Sequence, residues 1–443
     1  MRTSAPRPVP LLGDLPAFRR DRLAFLTTLA RERGDLASFR LGPYRVHQLA
    51  HPELIHHALV VEAARFRKGP VLQRAKVVLG EGLLTAEGEH HRRSRRALQP
   101  GFHPRRIEGY ATTMVATAAR TADRWTAGRP LDVHREMVRV TLATAAATLL
   151  GTEVEDDAEV ERVESAIADL LSAYKLGFVP FGWRLQHLPV GPARRLRRGR
   201  GSLYDLIDRT IAERRASGDD RGDLLSALAL AEDADRLPDA ELREQALTLL
   251  LAGHETTANA LAFALHLLAR DPELDARVHA EVATVLGGRE AGAADLPRLE
   301  VCRGVIAEAL RLYPPSWAMS RQAIEGHRLG GQRIEAGDVV ICPPWVVHRD
   351  PRWWPAPSRC DPDRWTDGVD HQRPRWAYFP FGAGVRRCLG ESFAWTEAVL
   401  VLAIVVARWR MHPVPDRPLE LEPLITLRPR GGLWLRPERR AGS

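Results

Sequence analysis

The most informative segment of this 443-residue chain is a short run with three glycines and one cysteine, Phe381-Gly382-Ala383-Gly384-Val385-Arg386-Arg387-Cys388-Leu389-Gly390. Glycines allow a backbone to approach a flat ligand closely, and a helix is predicted directly after the cysteine, from Glu391 to about Arg410. The positive end of that helix, together with Arg386 and Arg387, favours the thiolate form of Cys388. A buried thiolate needs a metal ion or another partner. The other reading, a cysteine nucleophile, requires a histidine base that the sequence does not indicate.

A long helix is predicted from about Asp239 to Arg270, a stretch that has no proline and one glycine. Roughly thirty residues at 1.5 Å each would cross about 45 Å, the width of a domain. Its middle reads Ala252-Gly253-His254-Glu255-Thr256-Thr257, and polar residues and glycine at the centre of a helix lower its stability. Two interpretations are open: a kink tolerated by packing, or a polar notch that faces a buried reaction centre.

Most of the remaining chain has the 3.6-residue periodicity of amphipathic helices. The clearest examples are Ile107–Trp125, Glu136–Leu150, Asp157–Tyr174 and Leu203–Ala216. Strand patterns are few and short; they cover Leu36–Leu41, Arg45–Ala50, Arg328–Ile334 and Val339–Cys342. Because strands and helices do not alternate, a doubly wound sheet is disfavoured. The sequence therefore predicts a mainly α protein with a small β subdomain, at about residues 36–50 and 320–345, within a single domain over residues 1–443.

Composition argues against several classes of protein. Four dispersed cysteines suit neither a disulfide framework nor a zinc site. The best apolar run, Ala398 to Ala407, has about half of the roughly twenty residues that a membrane helix needs. The N-terminus has no apolar stretch typical of a signal peptide, so we expect a cytoplasmic protein without a membrane anchor. The net charge is +8, but the arginines are spread among 56 acidic residues, which favours an acidic protein partner over nucleic acid.

The segment around Cys388 resembles the haem-binding loop of the cytochrome P-450 family. That loop carries phenylalanine, glycine, arginine, cysteine and glycine at fixed spacing, and Phe381, Gly384, Arg386, Cys388 and Gly390 occupy those positions. The resemblance implies the P-450 fold, a triangular helical prism around a buried haem b. It also implies that Cys388 is the axial ligand of the iron and that Phe381 lies against the cofactor.

Two further motifs resemble the same family and follow in the same order. Glu308-Ala309-Leu310-Arg311 is similar to its Glu-x-x-Arg helix, in which Glu308 and Arg311 share one face and form a structural network with an arginine that matches Arg364. An ordinary surface ion pair is the alternative for Glu308 and Arg311 taken alone. The centre of the long helix is similar to the oxygen-binding motif. There the resemblance places Ala252 beside the iron and gives catalytic proton-transfer roles to Thr256 and Glu255, whereas His254 is structural.

The resemblance also predicts which residues neutralise the haem propionates. His91 and Arg95 lie one helical turn apart and match the family's propionate-binding motif in its histidine form. His90 is an alternative by one position. Arg321 and Arg386 fit the family's other propionate-binding arginines, although a solvated surface role is the ordinary one for a single arginine.

The topology of the family predicts a substrate pocket from several separate segments. Its candidate lining residues are Val71, Leu72, Phe178, Phe181, Leu250, Ala252, Trp317, Met319 and Ile425. Such a pocket suits an apolar, compact substrate, and the chain is similar to actinobacterial members that oxidise terpenoids. Any one of these bulky residues is also at home in an ordinary core.

The expected function is a haem-thiolate monooxygenase of secondary metabolism that inserts one atom of O2 into a C–H bond of a hydrophobic molecule. Electrons come from NAD(P)H through a separate ferredoxin reductase and an acidic ferredoxin, docked by basic residues such as Arg386 and Arg387. We expect a monomer. Two alternatives stay open: a haem-thiolate enzyme that performs epoxidation, desaturation or oxidative coupling on a polyketide or fatty acid, and a non-catalytic haem-bound ligand carrier or sensor.

Overall fold

The protein is described by a computed structural model that covers residues 10–151, 157–172, 191–231, 237–366 and 373–440. The α-helices in these ranges are α1 (Leu15–Arg20), α2 (Arg22–Arg33), α3 (Pro52–His56), α4 (Pro70–Leu79), α5 (Gly88–Leu98), α6 (Pro104–Asp123), α7 (Val133–Leu150), α8 (Asp157–Ser172), α9 (Gly191–Ser217), α10 (Leu224–Ala229), α11 (Asp239–Arg270), α12 (Pro272–Leu286), α13 (Glu300–Leu312), α14 (Pro344–Val347) and α15 (Glu391–Arg408). Short 3-10 turns connect some of them, among them Pro362–Trp365 and Gly384–Arg386.

The strands are short and form small sheets. They are β1 (Leu36–Leu41), β2 (Tyr44–Leu49), β3 (Phe66–Lys68), β4 (Leu131–Asp132), β5 (Met319–Ala323), β6 (His327–Leu329), β7 (Gln332–Ile334), β8 (Val339–Cys342), β9 (Trp409–Pro413), β10 (Leu421–Pro423), β11 (Leu427–Pro429) and β12 (Trp434–Arg439). The largest sheet has the order β1-β2-β8-β5-β3, and β4-β12-β9 form another. In the largest sheet, antiparallel pairing of β3 with β5 places Lys68 opposite Arg321.

The central element is α11, which runs from Asp239 to Arg270 as the sequence predicts. Acidic residues in its first turn and Arg270 in its last turn complement the helix dipole. Apolar residues on most of its sides pack against α7, α13 and α15 in one extended core. Because the helix is buried on nearly all sides, it is apolar around most of its circumference and lacks the single apolar stripe of a surface helix. Within the described ranges, no helix is long and apolar enough to cross a membrane.

Two elements differ from their predicted boundaries. Helix α9 begins at Gly191, well before the predicted Leu203. Its added first half packs closely on α8 at Gly199, where a Cβ would lie 2.4 Å from the carbonyl oxygen of Ala166. The predicted strand Arg328–Ile334 is instead the hairpin β6–β7. Gly330 and Gly331 have φ values of 55° and 80°, a left-handed conformation that reverses the chain.

Candidate active site

The loop before α15 holds Cys388 by backbone geometry. Gly382 and Gly384 have positive φ values of 72° and 64°, which favour glycine. A Cβ on Gly384 would also lie 2.2 Å from the carbonyl oxygen of Leu59, so a larger residue would displace the loop. The backbone N–H of Cys388 donates to the carbonyl oxygen of Phe381 at 2.9 Å. This bond closes the loop and fixes the position of the sulfur relative to the start of α15.

The protein around Cys388 opposes the thiolate form when no metal ion is bound. Burial raises the pKa of the Cys388 thiol to about 11, although the Gly390 N–H, Arg95 and Arg387 act in the opposite direction. The residue still has exposed surface, but the protein that surrounds its sulfur excludes enough water for desolvation to outweigh the helix dipole. A metal ion that binds the sulfur would supply the missing stabilisation of the thiolate.

The four residues predicted to bind propionates, His91, Arg95, Arg321 and Arg386, come together beside this loop. His91 is buried, and burial followed by Arg386, Lys68 and Arg95 lowers its pKa to about 3. Burial also lowers the pKa of Arg321 and of Arg386. Burial is the main cause of these shifts, and the neighbouring positive charges of Arg386, Lys68 and Arg95 for His91, and of Arg321 and Arg95 for Arg386, add to it. The chemistry of this donor set fits a ligand with carboxylate groups, as haem has.

One carboxylate, that of Glu87, lies within this cluster of cations. It forms an ion pair with Arg386, and its Oε1 accepts the backbone N–H of Lys68 at 2.7 Å. Arg386 also donates to the carbonyl oxygen of Ala86 at 2.6 Å. A single carboxylate does not balance several cations, so the cluster can accept further negative charge. The alternative residue His90 turns away from it, because its Nε2 lies 2.9 Å from the carbonyl oxygen of Glu81.

Lys68 belongs to this cluster and was not predicted from the sequence. It is buried, its Nζ donates to the carbonyl oxygen of Leu84, and its neighbours Arg386 and Arg321 together with burial lower its pKa to about 7. The chain has few lysines, but nothing in the local pattern Phe66–Lys68 separates this one from a surface lysine. Its position depends on the pairing of β3 with β5, which is a long-range contact.

The centre of α11 has the polar notch that the sequence suggested. Ala252 is exposed although Leu249 to Leu251 before it are buried. The hydroxyl of Thr256 donates to the carbonyl oxygen of Ala252 at 2.9 Å. Glu255 is half-buried, and its Oε1 accepts a hydrogen bond from the Thr426 hydroxyl at 2.9 Å. His254 is buried, and its Nδ1 lies 2.7 Å from the carbonyl oxygen of Leu250, so it packs within the helix bundle.

Glu308, Arg311 and Arg364 form a buried charged network, not a surface ion pair. Two hydrogen bonds of 2.7 Å join the guanidinium of Arg311 to the carboxylate of Glu308, and both side chains are fully buried. Arg364 Nε lies 3.8 Å from Glu308 Oε2. Arg311 also donates to the carbonyl oxygen of His348 at 3.1 Å, and His348 Nε2 accepts the Phe379 N–H at 3.0 Å. The network thus supports the segment that leads into the Cys388 loop.

The proposed pocket residues fall into three groups. Val71 is 41% exposed, and Leu72, Met319 and Ile425 are half-buried. Leu250 is fully buried in a core cluster. Trp317 is buried, and its indole N–H donates to the carbonyl oxygen of Leu424 at 3.0 Å, so it anchors the turn that carries Ile425. Phe178 and Phe181 lie outside the described residues.

Comparison with known proteins agrees with this geometry. Residues 4–436 match the family model described as Cytochrome P450. Cyclooctatin synthase of Streptomyces melanosporofaciens is 42% identical over 96% of this chain and 93% of its own length. Cyclooctat-9-en-7-ol 5-monooxygenase of the same organism is 40% identical over 94% of this chain and 91% of its own length. Pentalenene oxygenase of Streptomyces avermitilis is 37% identical over 94% of both chains.

A solved structure extends the comparison to three dimensions. The structure described as "Crystal structure of cytochrome P450DA heme domain" has a TM-score of 0.88 and 28% sequence identity, and the match covers 98% of this chain and 97% of that one. Because the family model and these relatives cover nearly the whole chain, the protein belongs to the cytochrome P450 family, and the predicted mainly α P450 fold and monooxygenase class are confirmed.

Proposed function

We propose that the protein binds haem b through Cys388 and inserts one oxygen atom of O2 into a C–H bond of an apolar terpenoid in secondary metabolism. As a P450, it uses haem, O2, an organic substrate and electrons from redox partners. The observation that supports the assignment of Cys388 and of the binding residues is the cluster beside the Cys388 loop. Lys68, Arg321 and Arg386 lie close enough there for their positive charges to repel one another, and a dianionic ligand would relieve that repulsion. His91, whose pKa burial lowers to about 3, adds a neutral imidazole to the same cluster.

The bound haem supplies the reductive activation of O2, and a thiolate ligand favours cleavage of the O–O bond. The protein's own residues hold the cofactor and control protons. The cations beside α5 and β5 neutralise the propionates, and Phe381 closes the thiolate loop through its carbonyl oxygen. The Thr256 hydroxyl and the Glu255 carboxylate lie on successive positions of α11 beside exposed Ala252, where they hold and transfer protons toward the open face of the helix.

The proposed substrate class is supported by the pocket residues and by the relatives. Val71, Leu72, Ala252, Met319 and Ile425 are apolar and retain accessible surface, which suits a compact hydrocarbon skeleton. The relatives with 37% to 42% identity are named for cyclooctatin, cyclooctat-9-en-7-ol and pentalenene, and the last name denotes an unsaturated hydrocarbon. A cyclic terpenoid with few polar groups fits both the apolar pocket residues and the names of these relatives.

We also propose the electron source: NAD(P)H, through a ferredoxin reductase and an acidic ferredoxin. A surface pocket of about 330 Å³ on the thiolate side is lined by Arg303, Arg375 and Arg387 together with aromatic side chains. Exposed arginines around such a depression suit a weak, electrostatically steered encounter with an acidic protein. A monomeric state, a cytoplasmic location and a single domain over the whole chain stay predictions.

Two measurements test this proposal: a spectrum tests whether Cys388 binds the haem iron, and a product assay tests the substrate class. Cys388→Ser should lose the red-shifted carbon monoxide band of the reduced haem-thiolate protein, whereas Cys342→Ser, a buried cysteine in β8, should keep it. The parent protein, supplied with a surrogate ferredoxin and reductase, should then oxidise a cyclic terpene in an oxygen-dependent reaction. Retention of the band in Cys388→Ser would overturn the ligand assignment. Product from a fatty acid or a macrolide, with none from terpenes, would overturn the substrate class.

A further inference from the structure

The hairpin β10–β11 contacts the proton-transfer residue of α11 from the side. The hydroxyl of Thr426, in the turn between the two strands, donates to Glu255 Oε1 at 2.9 Å. Thr426 is 9% exposed and the Glu255 side chain 18% exposed, so water competes only weakly for this bond. A carboxylate on a helix can adopt several rotamers, and this contact selects one of them.

A second residue of the same hairpin approaches the same oxygen. Arg428 Nη1 lies 3.9 Å from Glu255 Oε1. Arg428 is itself held by Glu422: its Nε donates to Glu422 Oε2 at 2.9 Å, and its Nη2 lies 2.9 Å from the same oxygen. The two residues stand opposite each other in the β10–β11 register. The guanidinium is therefore fixed from the strand side before it reaches Glu255. Thr426 and Arg428 together hold the carboxylate between a hydroxyl donor and a positive charge.

The turn that carries Thr426 is anchored independently of Glu255. The Trp317 indole N–H donates to the carbonyl oxygen of Leu424 at 3.0 Å, and the backbone N–H of Leu427 donates to that of Pro315 at 2.9 Å. Leu427 is fully buried. Residues 424 to 427 are thus attached to the chain that leads into β5, and the proposed pocket residue Ile425 lies directly before Thr426. The same turn therefore carries the proposed pocket residue Ile425 and the hydroxyl of Thr426 that binds Glu255.

We propose that Thr426 is a positioning residue for Glu255, assisted by Arg428, and that the turn 424–427 links substrate contact at Ile425 to proton delivery on α11. The inference rests on the proposed role of Glu255. General acid–base catalysis needs the donor within hydrogen-bond reach of its acceptor. Without the Thr426 hydroxyl, the carboxylate rotates among its rotamers, proton delivery slows, and reduced oxygen leaves as hydrogen peroxide instead of entering product.

The test compares Thr426→Val, which keeps the shape and removes the hydroxyl, with Thr426→Ser, which restores it. The ratio of peroxide to hydroxylated product should rise about tenfold in Thr426→Val and return to within about twofold of the parent in Thr426→Ser. The carbon monoxide spectrum should be unchanged in both. Thr284→Val, which removes an exposed hydroxyl bonded to the Ala280 carbonyl in α12, should behave as the parent. If Thr426→Val does not fold, Arg428→Met takes its place, with a smaller rise expected.

Crystal structures and one further variant distinguish the positioning role of Thr426 from the proton-transfer role of Glu255. Crystal structures of the haem-bound variants should show Glu255 displaced in Thr426→Val and back in place in Thr426→Ser. Glu255→Gln should raise the peroxide ratio at least as much as Thr426→Val. An increase in Glu255→Gln without one in Thr426→Val, or an unmoved Glu255, overturns the positioning role alone. Parent-like coupling in Glu255→Gln overturns the proposed proton-transfer role, and this inference with it.

Discussion

Lys68 is a buried lysine whose surroundings oppose its charge. Burial, Arg386 and Arg321 lower its pKa from 10.5 to about 7. Because the folded pKa lies below the unfolded value, the unfolded chain binds more protons between these two pH values, and the stability of the ligand-free protein falls as pH decreases from about 10.5 to about 7. Each pK unit corresponds to about 1.4 kcal/mol. A bound carboxylate would reverse the effect by stabilising the ammonium form.

Replacing Lys68 by methionine should therefore weaken haem retention. Removing a charge-assisted contact to a propionate should weaken haem binding by about 1.5 to 3 kcal/mol. If the whole change appears in dissociation, haem is lost roughly 10- to 100-fold faster. The measurement is the rate of haem transfer to apomyoglobin at neutral pH. Lys76→Met is the matched control, since Lys76 pairs with Glu81 at 3.1 Å on the surface and should retain haem like the parent. Equal rates for Lys68→Met and the parent would remove Lys68 from the propionate site.

Thr256 and Thr257 make the same type of bond but differ in what they face. Each hydroxyl donates to the carbonyl oxygen four residues earlier, at 2.9 Å for Thr256 and 3.3 Å for Thr257. Thr257 is buried and Thr256 is not. Thr256→Ala should keep the haem spectrum and divert most electrons to peroxide, because its hydroxyl organises proton transfer. Peroxide and product are quantified together. Thr257→Ala should remain coupled, and equal uncoupling of both variants would contradict a specific role for Thr256.

At the scale of elements, the charged pair on α13 should support folding more strongly than surface pairs do. Glu308→Gln leaves Arg311 buried without its carboxylate, and breaking such a pair lowers the free energy of unfolding by about 3 to 5 kcal/mol. The temperature at which the haem-thiolate spectrum is lost should fall clearly. Glu89→Gln breaks a pair with Arg92 at the same helical spacing, but both side chains are exposed, so its effect should stay within about 1 kcal/mol. A Glu308→Gln variant as stable as Glu89→Gln would show that the network is dispensable.

Elements with strong local signals were predictable, whereas those made by long-range pairing were not. Helix α11 has both predicted ends because composition alone excludes a break between Asp239 and Arg270. The strands of β4-β12-β9 were not predicted, since prolines at Pro413 and Pro437 interrupt their pattern and their pairing joins distant parts of the chain. The surroundings of Cys388 show the same limit: the helix dipole is visible in the sequence, but the burial that raises the pKa of the thiol is not.

The residues of the candidate site also divide into those that the sequence could name and those that it could not. Residues within a family motif, such as His91, Arg95 and Arg386, could be named from the sequence because the motif fixes their spacing. Lys68 and Thr426 could not, because each reaches the site through a strand or turn whose partner is far away in the chain. Trp317 was predicted as a pocket residue from the topology of the family, but the hydrogen bond by which its indole N–H anchors the 424–427 turn was not. Tertiary hydrogen bonds of this kind leave no periodic trace in a sequence.

Across the whole molecule, the net charge of +8 matters mainly where it is concentrated. On the thiolate side, the guanidinium of Arg303 lies 4.7 Å from the centre of the Trp395 ring, and that of Arg375 lies 5.1 Å from the Trp376 ring. Both arginines are exposed beside the pocket that includes Phe381 and Gly382. This surface is therefore where we propose that an acidic ferredoxin docks.

Reversing charge at this surface should slow electron transfer without changing the haem site. Arg303→Glu and Arg375→Glu should each lower the second-order rate constant for haem reduction by an acidic ferredoxin about tenfold at low salt. The difference should shrink as salt is raised, because exposed charges are screened beyond about 10 Å at 0.1 M ionic strength. Arg195→Glu on α9, whose main packing partner is α8, is the control with the same change in net charge. Stopped-flow reduction across a salt series distinguishes the cases: a similar decrease in all three variants would mean that overall charge steers the partner, and only a decrease confined to Arg303→Glu and Arg375→Glu assigns docking to the thiolate side.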